Sequence, residues 1–173
     1  GVALLALLPA AGQAQQMVGF AAIDKADTVW VLVAAALVLL MTLPGVALFY
    51  AGMVRRKNVL NTLAAVLGAA CVVSVVWFAV GYSLAFTPSS PWIGGLDRLW
   101  FGGLDYQLAQ QQLAVSHMAP HIPEAAYALF QLTFAIITAA LIVGALVERM
   151  RFVALMLFMA LWTLLVYVPV AHW

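Results

Sequence analysis

Charged residues occupy a few short islands of this chain, and between them the sequence is almost wholly apolar. Four stretches contain no Asp, Glu, Lys or Arg: Thr28 to Val54, Val59 to Phe86, Ala125 to Val147 and Phe152 to Val170. An α-helix rises about 1.5 Å per residue, so crossing the hydrocarbon of a bilayer takes about 20 mostly apolar residues. Each stretch meets that length, and none keeps the polar face of a core helix in a water-soluble protein. The pattern predicts an all-α membrane protein with spans at residues 28–54, 59–86, 125–147 and about 152–170.

Composition points the same way. Of the 173 residues, 67% are hydrophobic and 8% charged, and the mean hydropathy is +1.11, far from the make-up of a soluble domain. The placement of the basic residues adds an orientation. Arg55, Arg56 and Lys57 fill the first short link, and Arg149 and Arg151 flank the second. Cytoplasmic loops collect Lys and Arg, so both links are expected in the cytosol, with the N-terminus and residues 87–123 outside. The expected location is the cell (inner) membrane. Val2 to Leu8 is a short apolar run followed by Gly12-Gln13-Ala14, which reads as the end of a signal peptide over residues 1–14, cleaved before Gln15. A mildly apolar tail is the other reading.

Within the first span, Pro44-Gly45 predicts a kink, because proline cannot donate to the carbonyl of Leu40; Thr42 or neighbouring helices would satisfy that group. Small residues at Ala47, Ala51, Ala64, Gly68, Ala69, Ala140, Gly144 and Ala145 predict closely packed helices. The turn formers and aromatic rings between Pro88 and Tyr106 predict a loop lying on the outer surface. His117 and His121 share a helical spacing, but Pro120 and Pro123 break that geometry, which favours solvated loop histidines over a metal site. Cys71 is expected as a small packing residue.

No phosphate-binding glycine loop, zinc-type histidine helix or nucleophile elbow occurs, so nothing supports enzyme chemistry, a cofactor or a nucleic-acid partner. Polar groups inside a membrane are costly and tend to mark pathways. The third span holds Phe130, Gln131, Thr133, Phe134 and Thr138. Phe130 and Phe134, four apart, share a face about 8 to 14 Å below the outer end. Such a pair could form an apolar constriction offering its π-faces to a cation; equally, it could pack on lipid or a neighbouring helix. Gln131 and Thr133 could make interhelical hydrogen bonds, and Trp77, Trp162 and His172 read as packing or interface residues.

Several stretches resemble the ammonium transporter (Amt/Mep/Rh) family. Met41 to Leu63 (MTLPGVALFYAGMVRRKNVLNTL) resembles its first helix and inner loop, and Trp77 to Phe86 (WFAVGYSLAF) the end of its second helix. Phe130 to Phe152 (FQLTFAIITAALIVGALVERMRF) resembles the third helix and second inner loop, and the terminal YVPVAHW the end of the fourth. The resemblance implies the first four transmembrane helices of an eleven-helix fold with inverted five-helix repeats, assembled as a homotrimer with one pore per subunit. It implies ammonium or ammonia as substrate, with Phe130 and Phe134 matching the paired aromatics near the outer mouth and Phe134 the gating ring. It places cytosolic PII-type regulators at the basic links. The outer-site tryptophan would fall just past Trp173, so neither Trp173 nor His172 takes a family role; the two pore histidines, the outer-site serine and the helix-five aspartate belong to later helices. The expectation is the N-terminal portion of a transporter. A receptor-like relative coupled to a cytosolic signalling domain, and an unrelated four-helix scaffold, are the alternatives.

Overall fold

The computed structural model describes residues 16–173, so the expected signal remnant at residues 1–14 lies outside the described residues. Four long apolar helices dominate: α1 (Lys25–Met53), α2 (Arg56–Phe86), α3 (Glu124–Leu146) and α4 (Phe152–His172). Their ends follow from local chemistry. The Asp24 carboxylate accepts hydrogen bonds from the Ala26 and Asp27 backbone N–H groups at 2.7 and 3.0 Å, capping the otherwise unpaired donors of α1. The links at residues 54–55 and 147–151 are too short to leave the end of the bundle, so consecutive helices run antiparallel. Asn58 donates its side-chain N–H to Glu148 at 2.9 Å and ties the two basic links together.

Helices α2 and α3 form the central pair, with α1 packed on both and α4 on α2. Their seam is built from small side chains: Ala65, Ala69, Ala135, Ala139 and Ala140 are all at most 1% exposed. Without water to drive association, packed van der Waals contact must hold membrane helices together, and alanine lets the backbones approach. Ala47 and Ala51 are buried as expected, whereas Ala64 and Ala145 point away from the packing. Cys71 also departs from expectation, lying exposed on the outside of α2. Two glycines take part in direct locks. A Cβ on Gly68 would stand 2.8 Å from Met156 Sδ, and one on Gly144 would lie inside the ring edge of Tyr50, whose hydroxyl donates to the Leu141 carbonyl at 2.8 Å.

Three helices carry a widened π turn: Met41–Val46 around Pro44 in α1, Trp77–Gly81 in α2 and Thr163–Tyr167 in α4, just ahead of Pro169. The proline effect expected in α1 therefore takes the form of a wide turn. The Thr42 hydroxyl does not reach the Leu40 carbonyl freed by Pro44; it donates to Val38 at 2.9 Å. Thr62, Ser74, Thr138 and Thr163 likewise donate one turn back along their own helices.

The opposite end from the basic links carries structure that the turn-rich sequence does not announce. Strands β1 (Gln16–Gly19), β2 (Tyr106–Gln107), β3 (Gln112–Ser116) and β4 (Ala119–Pro123) form an antiparallel sheet. β3 is central, with β1 along one edge and β2 and β4 sharing the other. The all-α description thus holds for the spans, and the loop between α2 and α3 adds a small sheet. The Asp24 backbone N–H donates to the His121 carbonyl at 2.9 Å, docking the start of α1 on β4.

The Gly144 lock is testable in the full-length protein. Gly144→Leu should lower stability by about 1–3 kcal/mol through overpacking against Tyr50, and Tyr50→Phe by about 1 kcal/mol through loss of one hydrogen bond. Thermal unfolding in detergent measures both; unchanged stability of Gly144→Leu would place the Tyr50 ring elsewhere.

Candidate functional site

α3 is the one span among the four whose helix is unbroken, running from Glu124 to Leu146 without a π turn or proline. Phe130 and Phe134 sit on it six and ten residues from its start, about 9 and 15 Å along the axis. Their rings meet edge to face, with centroids 5.1 Å apart and planes at 75°. That arrangement directs the positive edge of one ring at the negative face of the other and favours a fixed pair. Phe130 is half-buried, whereas Phe134 is 39% exposed on a face the other three helices leave uncovered.

The surrounding polar groups are satisfied locally. Thr133, fully buried, donates to the Phe130 carbonyl at 2.7 Å, and Thr138 to the Phe134 carbonyl at 2.6 Å. The interhelical hydrogen bond considered for Thr133 is therefore replaced by one within its own helix. Its effect is to hold the backbone under the two rings, since both hydroxyls grip the carbonyls of the phenylalanines themselves.

The start of α3 is anchored by a network that the sequence reading missed. Glu124, only 5% exposed, receives Arg98 through two hydrogen bonds, Nε to Oε1 at 2.9 Å and Nη2 to Oε2 at 3.2 Å. The Tyr82 hydroxyl of α2 donates to the same Oε1 at 3.0 Å. A carboxylate at a helix N-terminus also meets the positive end of the helix dipole. Arg98 is positioned in turn by its backbone N–H, which donates to Ser83 Oγ at 3.0 Å, while Ser83 donates to the Gly95 carbonyl at 2.8 Å. Gly94 makes this fold-back feasible: any Cβ there would lie 2.6 to 2.8 Å from the carbonyl oxygens of Leu84, Thr87 and Ser83. A cavity of about 50 Å³ borders the ion pair, and the buried Thr87 hydroxyl, which has no hydrogen-bond partner among the described residues, lines it. The one available cue was arithmetic: Arg98 is the lone basic residue of its segment, and Glu124 abuts an apolar run.

Trp77, read as a packing residue, is fully buried where α2, α3 and α4 meet. Its indole N–H donates to the Ala128 carbonyl at 3.3 Å, and its ring contacts Tyr82, Phe86 and Tyr167 at centroid distances of 6.0 to 6.2 Å. His117 lies in the turn between β3 and β4 and His121 on β4, both exposed. Trp92, Trp100 and Tyr106 are more than 60% exposed at this end of the bundle, whereas Phe101 turns inward onto Phe78 and Tyr82.

Known proteins match this arrangement over most of its length. The family model described as the Ammonium Transporter Family covers residues 29–173. The ammonium transporter of Bacillus subtilis is 46% identical over 147 residues, covering 85% of this chain and 34% of that protein. That of Mycobacterium tuberculosis is 46% identical over 159 residues, covering 87% and 33%. The crystal structure of Candida albicans Mep2 superposes with a TM-score of 0.77 at 36% identity, over 88% of this chain and 32% of that one. The chain spans about a third of the length of the curated relatives it matches.

The ion pair predicts a distinct mutational signature. Arg98→Met alone strands the Glu124 carboxylate and should cost about 3–5 kcal/mol, whereas Arg98→Met combined with Glu124→Met should recover much of that loss. A double-mutant cycle on thermal stability measures the coupling; simple additivity would show that the two groups do not depend on one another.

Proposed function

The chain belongs to the ammonium transporter family, and from that premise we propose that the whole protein moves ammonium or ammonia across the cell membrane past a constriction formed by Phe130 and Phe134. It is a multi-pass membrane protein of a transporter family, not an enzyme. The observation that carries the reading is the phenylalanine pair. The two rings are locked edge to face on the unbroken helix, with Phe134 left uncovered by the rest of the bundle.

The physics of that position suits the task. Ammonium has the charge of potassium and nearly its size, so charge and radius separate the two poorly. A ring face attracts the cation, and a narrow apolar passage beyond it strips water from whatever enters. A group that can hydrogen-bond and surrender a proton passes such a filter more readily than a bare metal cation. The relatives matched at 46% identity are named transporters, which favours transport over the receptor-like reading.

The orientation proposed is basic links inside and sheet outside, supported by Arg55, Arg56 and Lys57 gathering at the same end as Arg149 and Arg151. On this orientation the phenylalanine pair faces the supply side. The family resemblance extends the proposal to a homotrimer, with the basic links as the docking place of a PII-type regulator.

Two experiments decide the reading. In the full-length protein reconstituted into vesicles, Phe134→Ala should change methylammonium flux, or its discrimination against potassium, at least several-fold. Unchanged flux and discrimination would remove Phe134 from the pathway. In intact cells, Lys57→Cys should react with a membrane-impermeant maleimide only after permeabilisation; labelling without permeabilisation would invert the topology.

A further inference from the structure

The imidazole of His172, in the last turn of α4, bridges two carbonyl groups that are otherwise separate. Its Nδ1 lies 2.8 Å from the carbonyl oxygen of Ala85, and its Nε2 lies 2.8 Å from that of Ser90. A carbonyl oxygen only accepts. Neutral imidazole has a single N–H, so in either tautomer one contact would set a bare nitrogen lone pair against an oxygen lone pair at hydrogen-bond distance. The imidazolium donates at both positions and satisfies both contacts. We propose that His172 is a proton-binding clasp: protonated on both ring nitrogens, it pins the turn at Ser90 to the end of α2, and loss of a proton opens it.

The surroundings support a cation there. Ala85 belongs to the last turn of α2, where unpaired carbonyls collect the negative end of the helix dipole. The neighbouring cavity, about 410 Å³, is lined by Ser90, Pro91, Met118 and His117 among others, and no carboxylate belongs to its lining. His117, contributed by the sheet, is the other titratable group of that cavity and becomes a like charge when protonated. Asp97, Arg98 and Glu124 line the adjoining small cavity beyond Phe86 and Thr87, and Arg98 and Glu124 neutralise each other there. Among the described residues, Tyr82 of α2, Tyr127 of α3, which packs edge to face on Phe86, and Tyr167 of α4 are further titratable groups near these helix ends, Tyr82 being engaged with Glu124.

What the clasp holds is a single stiff piece. Ser90 Oγ donates to the Ile93 carbonyl at 2.7 Å, the Ile93 N–H donates back to Ser90 Oγ at 3.1 Å, and the Ser90 N–H reaches the Ile93 carbonyl at 3.3 Å. Trp173, the next residue along, donates its indole N–H to the Trp92 carbonyl at 3.2 Å, and the two indoles meet edge to face at 6.1 Å. Residues 172 and 173 therefore grip the same turn at two points, one dependent on a proton and one not. Because the closed form holds one proton more than the open form, linkage makes closure stronger in acid than in base.

The proposal is independent of any role for Phe134 and needs no transport assay. In the full-length protein in bilayers, amide hydrogen exchange of residues 87–93, normalised to the intrinsic chemical rate, should be about tenfold slower near pH 5 than near pH 8. His172→Phe keeps a planar ring but has no donor, and should exchange at the faster rate at both pH values. Ring nitrogen signals assigned by their loss in His172→Phe should show two protonated nitrogens near pH 5, as the imidazolium requires. Equal protection at both pH values in the native protein, unchanged protection in His172→Phe, or a bare ring nitrogen near pH 5 would each overturn the clasp.

Discussion

A bilayer interior offers no water to hydrogen-bond, so every polar group placed there must find its partner within the protein. Most features of this chain can be traced to that constraint. The spans are helices because a helix pairs its backbone internally. Their hydroxyls turn back on their own carbonyls, at Thr42, Thr62, Ser74, Thr138 and Thr163, because a donor left open in hydrocarbon costs more than a local bond yields. The sheet, whose edges would be intolerable in lipid, sits beyond the spans with its central strand covered on both sides.

The same constraint explains where charge is found. The Arg98–Glu124 pair is drawn to the extreme start of α3, where the helix dipole, Tyr82 and a folded-back loop share the cost of burying a carboxylate. Ten residues further in, Phe134 has only a ring to offer. The span therefore passes from a fully paired ionic end to a purely aromatic stretch along one uninterrupted rod. Because that rod has no wide turn, whatever fixes Glu124 also fixes the height and rotation of the phenylalanines.

The spans and the gathering of basic links were legible because both depend on local composition: charge-free length for one, and Lys and Arg in short links for the other. The phenylalanine pair followed from its four-residue spacing. What escaped depends on residues far apart in the chain. β1 pairs with β3 across the whole of α1 and α2 and the loop after them, and the short strands lie among prolines and glycines that read as turns. Arg98 and Glu124 are joined only by the fold-back at Gly94. Pro169 was a visible cue to the wide turn in α4, whereas the one in α2 has no proline to announce it. Cys71 was misplaced because a small residue in an apolar run looks alike whichever way it faces.

Each wide turn accommodates one more residue than an ordinary helical turn while the helix still crosses the same thickness. At Met41–Val46, Trp77–Gly81 and Thr163–Tyr167 the chain thus has places where a single residue could be gained or lost in the course of evolution, with the rod re-phasing locally and its ends staying in register. α3 has no such slack. A one-residue change in length between Glu124 and Phe134 would swing the aromatic pair by about 100° around the axis, so drift in length should be tolerated in three of these spans and resisted in the fourth.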